Sequence, residues 1–253
     1  MELGELMGFV LVLVRVATVL AFLPFLGEGT VPAAVKALAA VVMSLALAPL
    51  GSAAAPVLAW QPLQFLLYVA AEVLFGALLG FSALLVFKAL RIAGEMVGQQ
   101  MGMALAVVAD PLSGVEATPI GNFCETVGVL VFFVVRGHHW MLRALHESFV
   151  RWPLGAFLAP EFIKGVSVSA AARGFGMAFQ LAAPLLLLGF TVSLVMAIMA
   201  RLVPEVNVLI VGFPLRIGVG FLGLTLFVPV LVNYGGEVAR MMGRFMAGVV
   251  GGG

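Results

Sequence analysis

The stretch ALAAVVMSLALAPLGSAAAPVLAWQPLQFLLYVAA, residues 37–71, carries no charged side chain. A helix that spans a bilayer needs about 20 mostly apolar residues, so this run is long enough for more than one. Pro49, Gly51, Pro56 and Pro62 interrupt it, and these are residue types that end or kink helices. The run therefore reads as the end of one apolar helix, from about Ala34 to Leu50, a tight apolar turn, and the start of another, from about Leu63 to Phe87. That reading sets the class as all-α and membrane-type.

Composition agrees. Hydrophobic residues make up 63% of the chain and charged residues 10%, and the mean hydropathy is +1.21. Soluble domains hold about 45–50% apolar and about 25% charged residues. One soluble domain of this size cannot hide so much apolar surface. Disorder, a nucleic-acid-binding domain and a typical cytosolic enzyme are excluded. An integral membrane protein is left, or a subunit covered on most sides by partners. The 13 basic and 12 acidic residues give a net charge of +1, so no field draws nucleic acid. The single cysteine, Cys124, excludes an intramolecular disulfide and a cysteine metal cluster.

Working outward, Leu6 to Phe25 is a first apolar helix with Arg15 in its middle. The acidic start, with Glu2 and Glu5, does not fit a signal peptide, which opens on a basic region. The first helix is therefore expected to be retained. The 63–87 segment carries Glu72. From Lys88 to Ala109 the pattern changes: Lys88, Arg91, Glu95 and Gln99 recur every three or four positions as one polar stripe. Gly94, Gly98 and Gly102 form a tandem small-residue repeat on a neighbouring face, the pattern of a helix that approaches others closely. A turn-prone loop follows, with Ala109, Asp110, Pro111, Leu112, Ser113 and Gly114. Asn122 to Val135 is the next apolar helix and contains Glu125. Residues 136–173 are the most polar region. Residues 174–200 are uncharged, Arg201, Pro204, Glu205 and Asn207 interrupt, and apolar runs resume at Val208–Pro214 and Ile217–Tyr234. The expectation is a single domain over 1–253 with about six apolar helices plus the small-residue helix at about 88–109. The positive-inside rule gives a mixed topology. If the N-terminus lies outside, Lys36, Lys88 and Arg91 fall inside, but the basic residues at 136–151 fall outside.

Four charges lie in or beside apolar runs: Arg15, Glu72, Glu125 and Arg201. Each costs about 2.5–3.5 kcal/mol at mid-membrane on insertion scales. They could mark a proton or ion path, as in a stand-alone secondary transporter with Glu72 or Glu125 on the path. They could equally pair between helices, for example Arg15 with Glu72 or Glu125. Their scatter over separate helices favours pairing. His138 and His139 are adjacent, so they point apart on a helix and make a poor chelate. No nucleotide-binding loop is present: glycine-lysine-serine/threonine does not occur. No cofactor and no metal are expected, and no catalytic signature appears. Gly76 and Gly80 repeat the small-residue spacing, but such pairs arise by chance in a chain with 30 glycines. Met96, Met101 and Met103 border the glycine run, either as an adaptable seal or as ordinary packing.

Three stretches together resemble the FliR family of flagellar export proteins and its SctT-type relatives in injectisomes. The first is Ala93-Gly-Glu-Met-Val-Gly-Gln-Gln-Met-Gly102 with the loop Ala109–Gly114. The second runs from Ala200 to Gly218 and contains Arg201, Pro204, Asn207, Gly212, Phe213, Pro214 and Arg216. The third is the arginine-bearing first helix followed by Pro24-Phe25 and Val31-Pro32-Ala33. Glu147-Ser148-Phe149 before Pro153-Leu154-Gly155 fits the same pattern. The resemblance covers essentially the whole chain. It implies a non-enzymatic, pore-forming subunit of a type III export gate, built with FliP and FliQ homologues and working beside FlhA and FlhB homologues. Unfolded flagellar proteins would pass through this gate across the inner membrane at the basal body. It also implies helices folded back as broken or re-entrant hairpins, displaced toward the periplasm and covered by partners and membrane lipid, which would account for the mixed charge topology. The loop from Ala106 to Asn122 would be the plug that helps to close the pore.

Overall fold

A computed structural model describes residues 3–23, 31–52, 62–103, 118–157, 160–203 and 210–229. Among them every regular element is a helix: α1 Leu3–Ala21, α2 Ala33–Ser52, α3 Pro62–Gln100, α4 Pro119–Val134, α5 Gly137–Arg151, α6 Pro160–Leu202 and α7 Ile210–Pro229. Four of them, α1, α3, α6 and α7, are long and apolar enough to cross a membrane. A fifth span results if α4 and α5, broken at Val135-Arg136, count as one.

The all-α membrane class stands, with three differences in how the chain is cut. The segments expected at 63–87 and 88–109 are one helix, α3, which does not break where Lys88 interrupts the apolar run. It ends at Gln100, not Ala109, because Gly102 adopts the left-handed conformation (φ +82°). Met103 N–H then donates to the Gly98 carbonyl and Gly102 N–H to the Gln99 carbonyl, at 3.0 Å each. This is the crossed pair of bonds that closes a helix C-terminus. Likewise Arg216 does not split the last helix, and Pro184 lies inside α6.

The chain forms two compact units. In the first, whose described residues fall within 1–85 and 136–172, α1 packs on α2 and on the N-terminal part of α3. Its core includes Leu11, Val12, Val16, Val19, Leu23, Leu145 and Phe149. A Cβ on Gly76 would lie 2.7 Å from both the Arg15 carbonyl oxygen and Thr18 Cβ, and one on Gly80 would lie 2.7 Å from Phe22 Cβ. The pair that looked like chance spacing is therefore where α3 meets α1.

The second unit (86–135 and 173–237) is built on the C-terminal part of α3, α4, the later part of α6, and α7. Leu90, Val97, Met101, Ile120, Cys124, Leu185, Leu224 and Phe227 form its core. The α3–α4 contact is antiparallel and made by glycines on both sides. A Cβ on Gly94 would meet Cys124 and the Ile120 carbonyl at 2.8 Å, and one on Gly98 would meet Thr118 Oγ1 at 2.8 Å. Gly121 lies against Glu95, and Gly128 against Leu90. Thr118 also caps α4, accepting from Gly121 N–H at 3.2 Å, with Pro119 as first helical residue.

Candidate functional site

The first cluster is a buried ion pair in the first unit. Arg15 and Glu72 each have 0% exposure, and Arg15 Nε donates to Glu72 Oε2 at 2.5 Å. Arg15 Nη1 also donates to the Ser148 carbonyl at 3.2 Å, Ser148 Oγ at 3.3 Å and the Trp152 carbonyl at 3.2 Å, and Nη2 donates to the Trp152 carbonyl at 3.2 Å. Phe75 and Phe149 cover the guanidinium, 4.7 and 4.4 Å from their ring centres. Glu72 uses its second oxygen to accept the Gly155 N–H at 3.0 Å. Gly155 has φ +79°, and a Cβ there would lie 2.8 Å from Tyr68. A glycine is therefore required for that amide to reach Glu72. Burying two ions is tolerable only when the remaining donors and acceptors are matched, and here they are. The cluster ties α1, α3, α5 and the turn after α5 together.

The second cluster belongs to the second unit. Glu125 on α4 accepts from Lys88 Nζ at 2.8 Å and from Arg91 at 3.4 Å, and Arg91 Nε donates to Glu95 at 3.0 Å. Glu125 is 9% exposed, whereas Lys88, Arg91 and Glu95 are 29%, 25% and 31% exposed. Of the four charges expected in apolar runs, Arg15, Glu72 and Glu125 are buried, and Arg15 is matched with Glu72 rather than Glu125. Arg201 differs: it is exposed on this chain, in the last turn of α6.

The second-unit motif residues meet around the end of α3. Phe213 lies against Gly102, Gly212 against Met196, and Gly220 against Met101. Arg216 shares a cavity with Gln100, Gly189 and Gly220. Met101 is core, with Met103 packed beside it. Pro214 is exposed near the start of α7. The loop residues Ala109, Asp110, Pro111, Leu112, Ser113 and Gly114, and Pro204 and Asn207, lie outside the described residues. Ser148, Trp152 and Gly155 were missed as partners of the ion pair. All three act through backbone groups, Ser148 with its hydroxyl as well, and backbone groups leave no mark in a side-chain pattern. No group of three or more His, Cys, Asp or Glu that could hold a metal occurs among the described residues.

These features define a helical membrane protein whose buried polar groups join helices to one another. Residues 6–242 match the family described as bacterial export proteins, family 1. The flagellar biosynthetic protein FliR of Escherichia coli is 30% identical over 231 residues, 88% of this chain and 84% of that protein. FliR of Pectobacterium carotovorum is 34% identical over a match that spans 63% of this chain and 61% of the relative. The Yop proteins translocation protein T of Yersinia pestis is 26% identical over 70% of this chain and 69% of that protein. The chain belongs to the FliR family of bacterial export proteins.

Proposed function

We propose that this chain is the pore-forming FliR-type subunit of a flagellar type III export gate in the bacterial inner membrane. It assembles there with FliP and FliQ homologues, beside FlhA and FlhB homologues, and passes unfolded flagellar proteins outward. The observation that carries this reading is the family match from residue 6 to residue 242. The surface supports it. Only 17% of the apolar window in α6 and 22% of that in α7 is buried within the chain. Leu187, Phe190, Leu222 and Leu226 stand out from these helices, each more than half exposed, and such faces call for lipid or partner subunits. Removing the gene from its host should abolish export of flagellar filament protein while leaving its synthesis intact, and reintroducing the chain should restore export. Continued export without the chain would refute the reading. The match to the Yersinia protein favours a second reading, a subunit of an injectisome gate. In that case loss of the gene would stop effector secretion and spare the flagellum.

A further inference from the structure

The chain treats its charged groups in two different ways. Arg15 and Glu72 are removed from solvent completely and saturated with partners. Lys88, Arg91 and Glu95 lie further along the same helix as Glu72, one long and apolar enough to cross a membrane, yet keep a quarter to a third of their surface open. Gln99, one turn beyond Glu95, is exposed. The four residues fall on one face of α3, beside the Gly94–Gly98 face that contacts α4 and opposite Val97 in the core.

Half-open ions on a membrane-type helix do not face hydrocarbon; they face water or a polar partner. The pairing separates the two. Lys88 and Arg91 are matched within the chain by Glu95 and Glu125, two charges against two. A protein surface covering them would have to remove their water without an unmatched charge to gain in return. Water asks for no such match. The open faces of α6 and α7 differ: they carry large apolar side chains such as Leu222 (67% exposed) and Leu226 (73%) on α7, with the exposed Arg201 confined to the last turn of α6.

We propose that the face of α3 carrying Lys88, Arg91, Glu95 and Gln99 borders a water-filled passage, while the faces of α6 and α7 are covered by lipid and partner subunits. This rests on the export-gate reading and names the surface of that gate which the moving chain would meet. A charge-balanced lining suits varied unfolded polypeptides, because it holds neither sign strongly.

Cysteine reactivity tests it. Cys124 is buried, and Cys124→Ala gives a parent without thiols. Single substitutions Glu95→Cys, Gln99→Cys, Leu222→Cys and Leu226→Cys are then labelled with a membrane-impermeant, positively charged thiosulfonate in vesicles holding the assembled complex. The thiolate is the reacting form and needs water around it. Positions 95 and 99 should react roughly tenfold or more faster than 222 and 226, although Leu222 and Leu226 are more exposed than Glu95 on the isolated chain. Slow labelling at 95 and 99 in the assembly would overturn the proposal. If they label in the purified chain and become protected on assembly, a partner covers the face, and the proposal is equally overturned. Failure of the parent to co-purify with FliP and FliQ homologues would count against the export-gate reading instead. Labelling in the chain's own membrane would still decide the aqueous face.

Discussion

Arg15 and Glu72, 57 positions apart in sequence, form an ion pair in which neither side chain has any exposed surface. Removing one partner leaves a buried charge without its counter-ion, which costs about 3–5 kcal/mol. Replacing both with apolar residues removes the problem along with the pair. Arg15→Met alone and Glu72→Leu alone should therefore each destabilise the purified chain strongly, and the double variant should be clearly more stable than either. Thermal unfolding in detergent checks this through a double-mutant cycle. Additive losses would show that the two side chains act independently.

Glu125 offers an internal comparison. It accepts from Lys88 and Arg91, but both cations keep access to water and Arg91 also holds Glu95. Partly exposed pairs contribute about 1 kcal/mol or less. Glu125→Gln should therefore lower the unfolding temperature much less than Glu72→Gln, measured side by side.

The glycines divide by what surrounds them. Gly76→Ala would push a methyl into the α1 backbone, and Gly98→Leu would drive a side chain into Thr118 and the cap of α4. Overpacking of this kind costs about 1–3 kcal/mol. Gly218 has nothing within 4 Å of its would-be Cβ, so Gly218→Ala should be neutral to the chain or improve its stability by up to about 1 kcal/mol through helix propensity. The stability of the purified chain, measured without partners, separates the two groups.

The helical membrane class was readable in the sequence because long charge-free runs permit little else. The cuts were less so. Lys88 and Arg216 look like interruptions, yet α3 and α7 run through them; Glu125 on another helix holds Lys88, and Arg216 lines a cavity with Gln100 of α3. Those neighbours are set by tertiary structure and are invisible to periodicity. Arg15 was readable as a residue in need of a partner. The choice between Glu72 and Glu125 needed the three-dimensional arrangement, as did the Gly155 amide. Gly76 and Gly80 carried the same spacing as many other small-residue pairs, and only the approach of Arg15 and Thr18 sets them apart.

The segment before α4, expected from the sequence to be turn-prone, can be tested in the gate. Deleting residues 110–117 should leave α4 capped, since Thr118 and its bond to Gly121 N–H are kept. If this segment is the plug, the assembled complex should then leak small ions across the membrane, measured as loss of a potassium gradient in vesicles. An intact assembly that stays tight would assign closure to another segment.

On the reading proposed above, this chain is one subunit of a larger gate. Affinity purification of the tagged, full-length chain from the membranes of its own host tests this most directly. FliP and FliQ homologues should be recovered with it in fixed proportion after mild detergent extraction. Recovery of the folded chain alone, from membranes that contain both homologues, would contradict it.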